Sequence, residues 1–106
     1  MNYVAIFFAG ALLCNSIPHL TTGLQGAPFP TPFSKPPGKG DSSPVVNFLW
    51  GAFNFIASLC LLSHYPVVVG FNPTFYTVLA GALPIGIQCS LHFGKVRRDK
   101  SKSGQK

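Results

Sequence analysis

The chain has 106 residues, a formal charge of +6 and only 9% charged side chains, against about 25% in an ordinary soluble domain. That length leaves room for one domain, and the placement of charge excludes a typical soluble surface: nothing ionised precedes Lys35, and nothing ionised lies between Asp41 and Lys95. The basic residues mostly sit beyond an apolar segment, which points away from nucleic acid and toward a membrane protein meeting anionic lipid.

The first apolar segment runs from Asn2 to about His19 and lacks the positive start of a secretory signal. Ala5, Ala9 and Ser16 can share a face there, giving a small-residue surface suited to close helix packing. Asn15, Ser16 and Pro18 weaken its end, so a short spanning helix is expected to stop near Pro18 or His19.

Residues 20–43 form a long connection, and six of the ten prolines fall at 28–44. Gly and Pro at this density exclude a regular helix or a central strand. Phe29 and Phe33 flank Pro-Thr-Pro, so the stretch is read as an ordered, partly polyproline-II hairpin on the membrane surface, its Phe rings dipped into the interface.

Ser42 to Leu62 carries no charge and is long enough, at about 20 residues, to cross a bilayer core as a helix. Ser43 is placed to cap it, with Pro44 at the first helical position. Asn47, Gly51, Asn54 and Ser58 then recur at spacings that make one narrow stripe. Pro66 closes this segment, and HYPVVVGFN is a short uncharged turn. The third segment opens in the same way, with Asn72 as cap and Pro73 following, and is expected to run to Phe93 with Gly94 as its stop. Thr77, Gly81, Pro84 and Gln88 repeat the stripe spacing, and Pro84 should bend the helix. The two stripes are expected to pack against each other.

The fold expected is therefore an all-α membrane protein with three transmembrane helices, at about 3–19, 44–63 and 73–93, and a Pro/Gly-rich cytoplasmic hairpin at 20–43. Residues 1–94 make a single transmembrane domain, and 95–106 a basic, disordered tail. With three spans, the 20–43 loop and the tail share one side and carry all eight Lys and Arg. The positive-inside rule then puts that side in the cytoplasm and the amino terminus outside. Tyr3, Tyr65 and Tyr76 all fall at the opposite ends of the helices, where an aromatic belt belongs.

Chemistry is sparse. Gly38-Lys39-Gly40 imitates a phosphate loop, but Phe33 and Gly40 stand where the motif needs Gly and Ser or Thr. Only two acidic residues exist, both outside the spans, so paired-carboxylate catalysis has no basis. Cys14, Cys60 and Cys89 each lie within or beside apolar helix, which gives no disulfide framework. Cys89 and His92 share a helical face near the charged end, and His19 ends the first segment close by. Together they are the candidate ligands for a soft or borderline metal, and His19 and His92 for a haem.

The run Asn15-x-x-Pro18-His19, Gly23, Gly26, Phe29, Thr31-Pro32-Phe33, Pro36-Pro37-Gly38, Gly40, Ser42-Ser43-Pro44, Asn47, Trp50-Gly51 resembles a group of small bacterial integral membrane proteins without an assigned activity. The likeness covers about residues 10–55, is weaker through the third helix and stops before the tail. It implies a membrane location, no cofactor and no mechanism, and it joins the Pro-rich hairpin to the second helix as one unit.

The reading is a non-enzymatic inner-membrane protein that interacts with lipid head groups or a protein partner through its hairpin and basic tail. Lys95, Arg97, Arg98, Lys100 and Lys102 are the lipid-facing set. The alternatives are a small transport or channel subunit, which requires self-association, and a metal- or haem-binding redox accessory.

Overall fold

A computed structural model describes residues 2–102; Ser103, Gly104 and Lys106 of the expected tail lie outside them. Three helices follow in order: α1 (Tyr3–Leu24), α2 (Pro44–His64) and α3 (Pro73–Lys102). All three are long and apolar enough to cross a membrane, and no strand occurs among the described residues. The chain is an all-α, multi-pass membrane protein.

Its burial pattern supports that statement from a second side. Among the described residues the buried apolar set is only Ile6, Ala9 and Val96, whereas Ser16, His19, Asn47, Asn54 and Ser58 are buried polar groups within the helices. Val4, Phe8, Phe53, Leu83 and Leu91 face outward. A water-soluble bundle has the reverse arrangement. In hydrocarbon the outside needs apolar groups, and the helix contacts carry the small and polar ones.

The caps explain where the helices start. Asn2 Oδ1 accepts from the Ala5 amide at 3.1 Å, and Ser43 Oγ from the Val46 amide at 3.2 Å. Asn72 Oδ1 accepts from the Phe75 amide at 3.0 Å. Each satisfies a first-turn donor that the helix itself leaves open.

The ends differ from expectation at two places. Helix α1 does not stop at Pro18 or His19 but continues to Leu24. Its last turn packs on α2: a Cβ at Gly23 would run into the Phe48 amide and the Pro44 carbonyl. Termination comes at Gly26, whose φ of +71° allows the left-handed turn. The Ala27 amide bonds the Thr22 carbonyl and the Gly26 amide bonds the Gly23 carbonyl, which is the Schellman pattern. Helix α3 likewise runs through Gly94 to Lys102. Val96 is buried at its charged end, Lys100 reaches Asp41 at 2.6 Å, and basic residues near a helix C-terminus suit its dipole. The segment 95–102 is thus a helical continuation, where a disordered tail was expected.

Both α2 and α3 pack on α1 and, among the described residues, not on each other. The expected pairing of the two stripes is corrected here: α1 is the central post. Gly10 lies against Val78, Gly81 against Phe7 and Ala11, and Gly86 against Cys14, so α1 and α3 run parallel. Ser58 meets Ala9, Gly51 meets Ser16 and Leu20, and Asn47 meets His19, so α2 runs antiparallel to α1. The charged ends therefore gather at one end of the molecule, and the three tyrosines at the other. At 49 Å the long axis exceeds the hydrocarbon core, which is about 30 Å thick.

Candidate functional site

The charged end of the bundle carries a folded cap with a polar knot beneath it. Residues 25–43 fold over the helix ends. Phe29 and Ser42 form an antiparallel bridge, with the Ser42 amide donating to the Phe29 carbonyl at 2.9 Å. Thr31, 1% exposed, shares a hydrogen bond of 2.6 Å with the Ser42 hydroxyl, and its carbonyl accepts from the Gly38 amide at 2.8 Å. Gly38 has φ +72°, a conformation that glycine takes without strain. The expectation of an ordered hairpin holds, but Phe29 does not dip into lipid. It packs inward, 4.5 Å from the Phe93 ring centroid and 5.6 Å from that of His19. Phe33 remains exposed, edge-on to Trp50 at 5.2 Å.

Asn47 is the hub of the knot. Its Nδ2 faces three carbonyls, those of Phe29 at 2.8 Å, Ser43 at 3.1 Å and Ser42 at 3.2 Å. Those acceptors fix the amide's orientation and leave Oδ1 to accept from His19 Nδ1 at 3.0 Å. One side chain of α2 therefore joins α1, the start of the loop and its end. From α3, His92 Nε2 donates to the Gly38 carbonyl at 2.7 Å, so the third helix also holds the cap.

A second polar layer lies deeper. Asn15 Nδ2 donates to Asn54 Oδ1 at 3.2 Å, and Asn54 Nδ2 donates to the Trp50 carbonyl at 2.8 Å. The Cys89 thiol makes a weak contact to Asn15 Oδ1 at 3.8 Å. Deeper still, Ser58 Oγ donates to the Ala9 carbonyl at 2.7 Å. Nearly every polar atom in these layers has a partner, as a low-dielectric setting demands. Among the described residues the exception is Trp50, whose indole Nε1 is buried and unpaired; such a group costs about 1–3 kcal/mol.

The residues singled out from the sequence divide clearly. Asn47, Gly51, Asn54 and Ser58 are all buried on α1. In α3, Gly81 is buried and Thr77 is half-buried, with its hydroxyl donating to the Pro73 carbonyl at 2.7 Å. Pro84 and Gln88 are exposed, so they do not belong to the packing face. That face instead uses Val78, Gly81, Gly86 and Cys89. On α1 the close contacts fall at Gly10 and Gly23, and glycine inside an apolar span is itself a signal of close backbone approach.

His19, Cys89 and His92 lie on the same end of the molecule but are each engaged elsewhere, with Asn47, Asn15 and Gly38 respectively. The described residues contain no group of three side chains able to hold a metal. Lys95, Arg97 and Arg98 are exposed on the α3 extension, and Lys102 ends it. Lys100 pairs with Asp41.

Clefts border this end. One of about 500 Å³ is walled by Phe29, Pro30, Phe93 and Val96, and is lined also by Arg97 and by the Lys100–Asp41 pair. A second, of about 330 Å³, lies between the cap and the three helices. No family model, curated protein or solved structure matches this chain.

Proposed function

We propose that the protein is a non-enzymatic interaction protein of the inner membrane, with its amino terminus outside and its charged end in the cytoplasm, and that this end holds anionic lipid head groups. The carrying observation is the first cleft. Arg97, with Lys100 paired to Asp41 beside it, stands next to an apolar wall of Phe29, Phe93 and Val96 at the charged end of α3. A phospholipid has the matching halves: a phosphate for the cations and the upper part of an acyl chain for the wall. Orientation rests on the location of the seven described Lys and Arg at this end, following the positive-inside rule.

The test is lipid retention by the intact protein in detergent, followed by native mass spectrometry. Phosphatidylglycerol should stay bound at low salt and leave at high salt, while phosphatidylcholine does not stay. Exchange of Arg97 and Lys100 for Gln should remove the preference. Equal retention of both lipids, or an unchanged preference in the double variant, would overturn the reading.

Gln88 supports a second reading, self-association. It is an exposed amide inside the apolar part of α3, and such a group gains a partner when helices of two copies meet. A transport pathway lined by the α2 stripe has less support, because Asn47, Asn54 and Ser58 are already bonded within one chain. A strictly monomeric mass in mild detergent would remove self-association.

A further inference from the structure

The turn that joins α2 to α3, residues 65–72, is apolar where a turn is ordinarily polar. Val68 is 76% exposed, Val69 80% and Phe71 99%, so the Phe71 ring is left uncovered by the rest of the chain. Asn72 ties the turn's own polar groups together. Its side-chain amide donates to the Val68 carbonyl at 2.8 Å, and its backbone amide donates to the Gly70 carbonyl at 3.0 Å. The turn is thus braced by polar contacts while three large apolar side chains stay open. No residue from Ser42 to Gly94 is ionised, so no charge holds the turn in water or selects a charged partner for it.

We infer that this turn binds the bilayer surface at the tyrosine end, with Val68, Val69 and Phe71 seated among the upper acyl chains. Helix length sets its level. Helix α2 has 21 residues, a length of ~31 Å at a rise of 1.5 Å per residue, and the uncharged part of α3, from Pro73 to Gly94, matches it closely. The hydrocarbon core is about 30 Å thick, so with the charged end at one boundary the turn begins at the other. Tyr65 opens the turn and Tyr76, half exposed, follows it in the first turn of α3; such rings settle at the head-group level. The turn's apolar groups therefore extend the surface that α2 and α3 already give to lipid, and the bilayer is the apolar medium within their reach. Since α2 and α3 do not touch each other among the described residues, a seated turn sets the depth of both at this end. The contact needs none of the basic residues invoked for lipid at the other end.

Valine methyl signals test this on the wild-type protein in phosphatidylcholine nanodiscs. The Val68 and Val69 signals should lose most of their intensity to a phosphatidylcholine carrying a nitroxide high on its acyl chain, and keep it beside a water-soluble gadolinium chelate. The pattern should persist near 1 M salt, because the contact is not electrostatic. Loss of anionic-lipid retention at the charged end would leave it untouched, so the two readings fail separately. In the double variant Val69→Ser, Phe71→Ser, helicity should stay, both side chains being exposed, and the Val68 signal should pass from the lipid probe to the chelate. Three results overturn the inference. Broadening of the wild-type signals by the chelate alone places the turn in water, open to a protein partner. Protection from both agents means that a second copy covers it. A Val68 signal unchanged in the double variant means that something other than these apolar groups holds the turn.

Discussion

Toward α2, helix α1 presents hydrogen-bonding groups at three levels: His19 to Asn47, Asn15 to Asn54, and the Ala9 carbonyl to Ser58. Toward α3 it presents mainly backbone, at Gly10 against Val78 and at Phe7 and Ala11 against Gly81, with the Cys89 thiol as one weak polar link. The same helix thus meets one difficulty in two ways. Hydrocarbon does not drive helices together as water does. The α2 side answers with matched donors and acceptors, which fix register because a slip of one residue strands them. The α3 side answers with close backbone contact, where shape does the fixing and small slips cost less.

The largest effects should come from steric change at the glycines. Gly51→Leu forces a side chain into the Ser16–Leu20 backbone, and Gly81→Leu into that of Phe7. Each should destabilise by about 3 kcal/mol or more, since backbone cannot yield as a side chain does. The exposed Phe53 and Leu83 should tolerate Ala within about 0.5 kcal/mol. Thermal unfolding in detergent gives the ranking, and equal losses at all four positions would abolish the glycine argument.

Asn47→Ala comes next, at about 2–4 kcal/mol, because it leaves buried His19 Nδ1 without its acceptor and takes one donor each from the carbonyls of Phe29, Ser42 and Ser43, which keep only their backbone partners. The sharper readout is hydrogen exchange. The Gly38 and Ser42 amides should lose protection while α3 amides keep theirs, and unchanged loop protection would show that Asn47 is not the anchor.

Asn15→Ala and Asn54→Ala should each cost about 1 kcal/mol, with a coupling of about 0.6 kcal/mol in the double-mutant cycle. Cys89→Ala, on the other face, should cost less than about 0.5 kcal/mol, sulfur being a weak donor. A Cys89 effect larger than that of Asn15 would reverse the contrast between the faces.

The smallest effect belongs to Asp41→Asn. The Lys100 pair is partly exposed to solvent and contributes at most about 1 kcal/mol. Its loss should be measurable at low salt and vanish near 1 M, where the Debye length falls to about 3 Å. A loss independent of salt would mean that Asp41 acts through something other than its charge.

The same contrast explains what the sequence disclosed. In α2 the packing face stands out, because Asn47, Gly51, Asn54 and Ser58 are the polar and small residues of an otherwise bulky, apolar run. In α3 the face includes Val78, which hydropathy cannot tell from a lipid-facing residue, while Pro84 and Gln88 attract notice and point outward. Both stripes were visible without their common partner, since α1 shows α2 and α3 two different faces rather than one. Helix ends are hidden in the sequence for a related reason. Pro18 looks like a stop, but contacts beyond it, at Gly23, carry the helix on to Gly26. Gly94 looks like a stop too, but buried Val96 carries α3 on. The knot around Asn47 joins residues up to 28 positions apart, and its geometry exists only after the loop has folded back.

That the cap is fastened by all three helices has a consequence for biosynthesis. The contacts of Asn47 to His19, Phe29 and Ser42 are complete once α2 has entered the membrane. The contacts from His92, Phe93 and Lys100 to Gly38, Phe29 and Asp41 must wait for the last helix to be made. The nascent protein therefore passes through a hairpin stage with a half-tethered loop, which a protease added to arrested ribosome complexes should cut near Gly38–Asp41 until α3 is released. Docking of α3 then acts as a latch: the end of synthesis protects a segment made much earlier, so that cleavage in the loop separates unfinished chains from finished ones.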